Sequence, residues 1–272
     1  MRDRYAVIGN PIEHSRSPLI HRLFAEQTGQ EMEYGRILGD PERFGEQVRE
    51  FLRHGGRGLN VTVPFKESAF RLADERSERA AAAGAVNTLI LLDDGRLRGD
   101  NTDGIGLVRD LSVNHGLSLA GKRILLLGAG GASRGVARPL LEAGPAQLVI
   151  ANRTAERAQA LAAELEGLGQ VRGIGLGPLA GMRFDLVING TAAGLQDRVP
   201  DIPDDLLLPG GWCYDMMYSS DATAFVRWGR AHGAAHALDG LGMLVEQAAE
   251  SFFLWRGVRP QTGPVIERLR RG

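Results

Sequence analysis

The chain has 272 residues, of which 43% are apolar and 24% charged, and its formal net charge at pH 7 is −1. This composition is typical of a globular protein of one or two domains. Near-neutral charge and few aromatic residues argue against a nucleic-acid or anionic-membrane surface as the main partner, so any anion site must be local. The single cysteine, Cys213, excludes an internal disulfide and fits a reducing compartment. It stands in the apolar run GWCYDMM, which predicts a buried, unreactive thiol.

The N-terminus, MRDRYAVIGNP, enters a strand-like run without a charged leader followed by a long apolar core. We therefore expect no signal peptide. No apolar run approaches the roughly 20 residues that a membrane-spanning helix needs. The expected location is cytoplasmic.

The first hundred residues mix short strands with helices. A strand is predicted over 5–9, followed by a helix in SPLIHRLFAEQTG with Ser17 as its N-cap, Pro18 at its first position and Gly29 after its end. A second helix is predicted over about 41–54. This mixture indicates a small α/β domain.

The segment GLNVTVPFKES predicts a strand that runs into a helix. Its apolar residues Leu59, Val61 and Val63 alternate with Asn60 and Thr62, which gives one apolar face and one polar face. The lysine that follows, at position 66, falls in the first helical turn, where the helix dipole mildly disfavours a cation.

The segment AVNTLILLDDGRLRGDNTDG predicts a β-hairpin around residues 93–95. If residue 92 pairs with 96, residue 87 lies opposite 101, so Asn87, Asn101 and Asp103 share one face. Lys66 and Asp103 suit alcohol–ketone chemistry, because an ammonium can stabilise or protonate the oxygen that gains charge during hydride transfer. The residues alone also allow a solvated surface lysine and a turn aspartate.

From about residue 122 the pattern changes to a regular alternation of apolar strands and Ala-rich helices. Near-continuous apolar strands predict a parallel sheet covered on both faces. The last long helix, GMLVEQAAESFFLWRG, is apolar on most sides and should be buried. We predict an α/β chain of two domains, 1–103 and 104–240, with residues 241–272 returning to the first domain.

A glycine-rich turn lies between the first strand and helix of this second domain. It contains Gly128, Ala129, Gly130, Gly131 and Ala132. Such a turn lets the backbone approach a pyrophosphate at a helix N-terminus, although the third fingerprint position carries serine rather than glycine or alanine. A merely tight turn is the alternative.

The end of the next strand, VIANRTAER, has no carboxylate to hold a ribose 2′-hydroxyl. It offers Asn152, Arg153, Thr154 and Arg157, and arginine forks suit a dianionic 2′-phosphate. The pattern therefore favours NADP(H) as the cofactor. Two solvated arginines are the alternative.

Taken together, the motifs of the chain resemble those of the shikimate dehydrogenase family. The motifs that carry the resemblance are VIGNPIEHSRSPLIH, NVTVPFKE, AGAVNTL, DNTDGIG, LLLGAGGAS, NRT, YDMMY and DGLGMLVEQAA, in the order and spacing of that family from about residue 5 to 266. The resemblance implies NADPH-dependent reduction of 3-dehydroshikimate to shikimate, a step of aromatic amino-acid and chorismate biosynthesis. It implies an N-terminal substrate domain, a Rossmann-like doubly wound NADP-binding domain and C-terminal helices packed on the first domain.

The resemblance also implies site residues. Lys66 and Asp103 correspond to the catalytic pair, and both are also substrate contacts. The other implied substrate contacts are Ser15, Ser17, Thr62, Asn87, Tyr218 and Gln247, with the two serines binding the carboxylate. The implied cofactor contacts are Glu78, Gly128, Ala129, Gly130, Gly131, Ala132, Asn152, Arg153, Thr154, Arg157, Met216 and Gly240. No metal is expected, and a monomer or a homodimer is expected.

Three alternatives accompany this interpretation. A broader quinate/shikimate dehydrogenase is disfavoured by Ser17 and Arg153, since relatives that oxidise quinate often differ at both places. A non-catalytic dinucleotide-sensing regulator would be expected to lack Lys66 or Asp103, and both are present. A methylenetetrahydrofolate dehydrogenase would need an aromatic stacking residue near the lysine, for which Tyr218 is available.

Overall fold

A computed structural model of the chain describes residues 2–191, 193 and 197–271. The chain divides into two compact units, Met1–Gly106 with Val245–Gly272, and Leu107–Leu244. Two helices, Asp103–Arg109 and Leu241–Arg256, contain the points of division. The C-terminal residues therefore belong to the same compact unit as the N-terminal ones.

The first unit is built on a mixed six-stranded sheet. Its strands are β1 (Asp3–Gly9), β2 (Met32–Leu38), β3 (Gly56–Val61), β4 (Glu75–Arg76), β5 (Thr88–Leu91) and β6 (Leu97–Asp100), in the order β2-β1-β3-β5-β6-β4. Its helices before the division are α1 (Ser17–Thr28), α2 (Phe44–Arg53), α3 (Lys66–Leu72), α4 (Glu78–Ala83) and the start of α5 (Asp103–Arg109). β1 runs parallel to β2 and β3, whereas β5 is antiparallel to β3 and β6.

The predicted hairpin and its register are confirmed. Leu91 pairs with Leu97, and the backbone N–H of Leu92 donates to the Arg96 carbonyl at 2.9 Å. Gly95 has a φ of 84°, a left-handed conformation in which glycine has no Cβ penalty. This register brings the chain on either side of the hairpin, around residues 87 and 101, to the same end of the sheet.

Three local predictions for the first unit are wrong. Arg16, not Ser17, occupies the N-cap position of α1, and no side chain caps that helix. β3 ends at Val61, so Val63 lies beyond the strand and is exposed instead of completing the apolar face. Asp103 begins α5 rather than ending a strand. All three errors come from reading local propensity where the turn geometry decides.

The second unit is a parallel sheet of the doubly wound type. Its strands are β7 (Arg123–Leu127), β8 (Gln147–Ala151), β9 (Val171–Ile174), β10 (Phe184–Asn189), β11 (Leu207–Asp215) and β12 (His236–Leu238), in the order β12-β11-β10-β7-β8-β9. Its helices include α6 (Gly131–Glu142), α7 (Ala155–Glu164) and α8 (Ala224–Ala231), and a π-helical turn, Asp110–Asn114, follows α5. The chain reverses its strand order at β7, as in dinucleotide-binding sheets, so the predicted Rossmann-like fold is confirmed.

Both faces of this sheet are packed. Along β7, Ile124 and Leu126 contribute to one apolar cluster, and Leu125 and Leu127 to another. Successive side chains of a strand point to opposite faces, so a continuous apolar run is the expected sequence of a strand covered on both sides. β9 was not among the predicted strands.

The C-terminal helices are α9 (Leu241–Arg256) and α10 (Gly263–Arg271). Most of α9 is buried, which confirms the prediction from its apolar composition. None of the helices in the described part of the chain is long and apolar enough to cross a membrane.

The thiol of Cys213 is fully buried in β11. Burial raises its pKa to about 12, because the thiolate would lose its hydration, and the carboxylate of Asp215 adds to the shift. We expect the native protein to resist thiol reagents at pH 8 and to react rapidly once unfolded in urea. Stoichiometric labelling of the folded protein at the rate of a free thiol would contradict this expectation.

Candidate active site

The N-termini of two helices bring the predicted catalytic pair together. Lys66 is the first residue of α3 and Asp103 the first of α5. The Lys66 Nζ lies 2.5 Å from Oδ2 of Asp103, while Nδ2 of Asn87 donates to Oδ1 at 2.8 Å. Each carboxylate oxygen thus has its own donor, one charged and one neutral. The carboxylate is nearly buried and the lysine side chain is 26% exposed, so the ammonium is held yet accessible.

The orientation of the Asn87 amide follows from its neighbours. Its Oδ1 accepts from the backbone N–H of Thr102 at 2.9 Å, and a backbone N–H can only donate. The NH₂ group must therefore face Asp103. It also lies 3.3 Å from Oε1 of Gln247 on α9, which brings a predicted substrate contact from the C-terminal helix into the cluster.

Asn60 occupies the centre of a buried hydrogen-bond network that the sequence did not indicate. Its Oδ1 accepts from the Tyr34 hydroxyl at 2.6 Å and contacts Nε2 of His21 at 3.1 Å. Its Nδ2 donates to Oγ of Ser251 at 2.9 Å and lies 3.3 Å from Oγ1 of Thr88. With both lone pairs and both N–H groups used inside the protein, Asn60 serves the packing of the site.

The network continues to the Asp103 carboxylate. The Thr88 hydroxyl donates to Oδ1 of Asn87 at 2.9 Å, and Nδ2 of Asn87 donates to Oγ1 of Thr102 at 2.9 Å. Ser251 lies 2.8 Å from the Thr88 hydroxyl and 3.3 Å from the Thr102 hydroxyl. Side chains from β3, β5 and α9 thereby fix the Asn87 amide, and the fixed amide in turn limits the movement of the Asp103 carboxylate.

His21 is neutral in this network. Burial lowers its pKa to about 3, since a charged imidazole there would lose its hydration. Because Oδ1 of Asn60 can only accept, the proton of the imidazole belongs on Nε2. The ring also stacks on Tyr34 with a centroid distance of 4.1 Å. Burial likewise raises the pKa of Tyr34, so its hydroxyl remains a donor.

Three further substrate residues are predicted in the first unit. Ser15 lies on the turn after β1, Ser17 is the first residue of α1, and Thr62 directly follows β3. The backbone N–H of Ser17 donates to Oγ of Ser15 at 3.3 Å, and that of Thr62 donates to the Ile8 carbonyl at 3.0 Å. Ser17 is buried, whereas Ser15 and Thr62 are half-buried. Within the described residues, no hydrogen bond joins these three directly to Lys66.

An ion network joins two buried carboxylates, Asp100 and Glu250, to two partly exposed arginines. Arg79 binds both carboxylate oxygens of Asp100, at 2.6 and 3.1 Å, and donates to Glu250 on α9 at 3.0 Å. Arg259 also contacts Glu250. Asp100 is 2% exposed and ends β6, three residues before Asp103. Arg79 therefore links β6, the strand that precedes Asp103, to α9, the helix that carries Gln247.

The glycine-rich turn of the second unit has an open backbone. Gly128 has a φ of 102°, and a Cβ there would lie 3.0 Å from the Gly190 carbonyl. At Gly130 and Gly131 an added Cβ would meet no atom within 4 Å. α6 begins at Gly131 with no side-chain cap and no acidic residue in its first turn. These features fit a pyrophosphate at the helix N-terminus.

Two further features describe this turn. Ala129 packs against the apolar core, and Ala132 is exposed in the first turn of α6. Ser133, at the third fingerprint position, is fully buried, and no described residue is a hydrogen-bond partner of its hydroxyl. The serine therefore occupies the packing position that glycine or alanine takes in the usual fingerprint.

The end of β8 presents exposed cations. Nδ2 of Asn152 donates to the Thr154 carbonyl at 2.9 Å, which shapes the turn. Arg153 and Arg157 are both exposed, and within the described residues neither forms an ion pair. Two arginines without carboxylate partners fit a dianionic 2′-phosphate.

The remaining predicted cofactor residues, and the predicted substrate contact Tyr218, are placed as follows. A Cβ at Gly240 would lie 2.4 Å from the Met216 carbonyl, so that position requires glycine for a close backbone approach. Tyr218 is half-buried and follows β11. Glu78 is exposed at the start of α4 in the first unit. Among the described residues, no group of three histidine, cysteine or acidic side chains could hold a metal ion.

Three family models match consecutive parts of the chain. They describe a shikimate dehydrogenase substrate binding domain over 7–89, a shikimate/quinate 5-dehydrogenase over 111–195 and a shikimate 5′-dehydrogenase C-terminal domain over 240–270. The first of these spans the segment that carries Ser15, Lys66 and Asn87, and the last spans Gln247.

Individual relatives cover nearly the whole chain. The shikimate dehydrogenase (NADP(+)) of Alkalilimnicola ehrlichii is 61% identical over 99% of both chains. An Ael1 enzyme from Pseudomonas putida is 50% identical, with a TM-score of 0.93 and 98% of each chain covered. Shikimate 5-dehydrogenase from Thermus thermophilus, solved with NADP(H) and shikimate, is 37% identical, with a TM-score of 0.87 and 99% of each chain covered. The chain belongs to the shikimate dehydrogenase family.

Proposed function

We propose that the chain catalyses the reversible, NADPH-dependent reduction of 3-dehydroshikimate to shikimate, in the pathway of aromatic amino-acid and chorismate biosynthesis. The observation that carries the proposal is the 2.5 Å contact of Lys66 with Asp103, braced by Asn87 and Gln247. Residues 1–103 with 241–272 form the substrate domain of this enzyme, and residues 104–240 form its NADP-binding domain.

Ser15 and Ser17 bind the carboxylate of the substrate. Supporting this role, the Ser15 hydroxyl accepts from Ser17 N–H, which leaves its own proton for a ligand. Thr62, Asn87, Tyr218 and Gln247 bind the ring hydroxyls. A small polyhydroxylated ring needs several neutral hydrogen-bonding groups, and these side chains supply them.

Lys66 and Asp103 handle the proton of the reacting hydroxyl. During reduction, negative charge develops on the carbonyl oxygen, and the Lys66 ammonium is a fixed cation that can stabilise it and deliver a proton. Asp103 orients the ammonium through its 2.5 Å contact. The two groups act as a coupled pair, so the proton belongs to the pair rather than to one residue.

NADP(H), when bound, supplies the hydride chemistry. The residues of this chain that hold it are the glycine-rich turn Gly128–Ala132, the run from Asn152 to Arg157, and Met216, Gly240 and Glu78. The open backbone at Gly130 and the exposed Arg153 and Arg157 support this assignment. They bind and orient the dinucleotide, with arginine forks matched to the 2′-phosphate.

The direct test is an assay of NADP reduction with shikimate as the only other substrate, in which the absorbance of NADPH is measured. The same assay with quinate, and with NAD in place of NADP, tests the broader quinate/shikimate alternative. A turnover with quinate comparable to that with shikimate would favour the alternative. Absence of NADPH formation with shikimate would refute the proposed activity.

We place the enzyme in the cytoplasm, as a monomer or homodimer with no nucleic-acid or membrane partner.

Arg153→Ala is expected to raise the KM for NADP by about tenfold, because charge-assisted bonds to a phosphate contribute about 1.5–3 kcal/mol. The KM for shikimate should change little. Arg230→Ala, which removes an exposed arginine of α8 in the same unit, serves as the matched control. An unchanged KM for NADP in Arg153→Ala would refute the assignment of this residue to the 2′-phosphate.

A further inference from the structure

The two serines proposed to bind the substrate carboxylate lie where the turn after β1 enters α1: Ser15 on the turn and Ser17 as the first residue of the helix. The backbone N–H of Ser17 donates to the Ser15 hydroxyl. The turn also lies at the N-terminus of α1, a twelve-residue helix with no acidic residue in its first turn. Hydroxyls and a helix dipole favour an anion, but none of them carries a full charge. A substrate that is an anion at neutral pH would also gain from a cation near the turn.

Two cations of this region are engaged elsewhere. The Lys66 ammonium is neutralised by Asp103 at 2.5 Å. The Arg16 guanidinium donates to the Leu269 carbonyl at 2.9 Å, near the C-terminal end of α10, where the helix dipole is negative. Although Arg16 stands between the two serines in sequence, its charge is directed to the C-terminal helix.

Arg36 reaches the same turn from β2. Its NH2 donates to the Ser15 carbonyl at 2.7 Å, and the side chain is exposed. Within the described residues, Arg36 forms no ion pair with a carboxylate. One bond to a carbonyl occupies only part of the guanidinium fork, so an uncompensated positive charge is held beside the serine turn.

We propose that Arg36 is a specificity-determining residue, which supplies the positive charge of the carboxylate subsite and thereby favours anionic ring substrates. The inference rests on the proposed function of Ser15 and Ser17. Arg36 acts by its charge, and its bond to the Ser15 carbonyl holds that charge in place. Since the charge acts on ground state and transition state alike, it should alter KM and leave kcat nearly unchanged.

Substitutions at Arg36 separate charge from hydrogen bonding. Arg36→Gln keeps an amide donor for the Ser15 carbonyl but removes the charge, Arg36→Lys keeps the charge, and Arg36→Glu reverses it. We expect the KM for shikimate to rise about three- to fivefold in Arg36→Gln, the range of one exposed charge interaction. The KM for shikimate of Arg36→Lys should stay close to that of the unsubstituted enzyme, and the KM of Arg36→Glu should be higher than that of Arg36→Gln. The KM for NADP should not move.

Arg22→Gln is the matched control, because Arg22 is an exposed arginine of α1 whose nearest charge partner is Glu26. It should leave the KM for shikimate unchanged. A normal KM in Arg36→Gln, or equal defects in Arg36→Lys and Arg36→Gln, would overturn the role of the charge. Failure of the proposed function looks different: the unsubstituted enzyme would not oxidise shikimate, or Ser15→Ala and Ser17→Ala would leave its KM unaltered.

Discussion

Lys66→Ala is expected to lower kcat for shikimate oxidation by about 10²- to 10⁴-fold, the contribution of a positioned acid–base group. The alanine removes the cation that Asp103 holds at 2.5 Å, and with it the group that stabilises charge on the reacting oxygen. The KM for shikimate should change little, because Asn87 and Gln247 remain anchored to the rest of the network. Steady-state kinetics with saturating NADP measure both constants.

The matched control is Lys122→Ala. Lys122 is the other lysine of the chain, pairs with Asp185 at 3.6 Å and belongs to the second unit. It should leave both constants unchanged. If Lys66→Ala instead raised KM and spared kcat, Lys66 would be a substrate-positioning residue, and the acid–base role of the pair would be wrong.

Arg79→Ala is expected to lower the free energy of unfolding by about 3 kcal/mol, the usual cost of removing one partner from a buried ion pair. Asp100 would then remain buried, and among the described residues its carboxylate would keep only the Ser77 hydroxyl and the backbone N–H of Asn101 as donors. Glu250 keeps Arg259 and should be less affected. Urea denaturation followed by circular dichroism measures the change.

Two companion variants test the cause. Arg79→Ala/Asp100→Asn should be more stable than Arg79→Ala alone, because the double variant removes the uncompensated carboxylate. Arg22→Ala, at an exposed pair on α1, should shift the unfolding midpoint little. If adding Asp100→Asn lowered stability further, the loss would come from packing of the arginine stem rather than from a buried charge.

Much of the fold was predictable because its signals are local. The apolar strands of the second unit are covered on both faces, so their sequences alone indicated a parallel sheet. The hairpin register followed from the glycine turn at residues 93–95 and is confirmed. Strands β2, β4 and β9 were missed because they lie at sheet edges and are only partly buried, so their sequences carry a weaker apolar pattern.

The candidate site was predictable to a smaller extent. Spacing placed Lys66 at a helix start and Asn87 opposite the chain near Asp103, yet it left a surface lysine and a turn aspartate as open alternatives. Only the resemblance to the family implies that these two residues form the catalytic pair, and that role stays a prediction. Nothing in the sequence indicated that His21, Tyr34 and Ser251 meet at Asn60, because these residues come from four distant elements with no shared period.

The sequence by itself determined the class of fold, the glycine-rich turn and the absence of a carboxylate after β8, since each depends on neighbouring residues in the chain. Tertiary structure decided which polar groups act together. Asn87 faces Asp103 because Thr102 N–H occupies its oxygen, and Arg36 reaches Ser15 only because β2 pairs with β1. Such contacts join residues far apart in the chain, and hydrogen-bond geometry, which no local pattern encodes, selects among them.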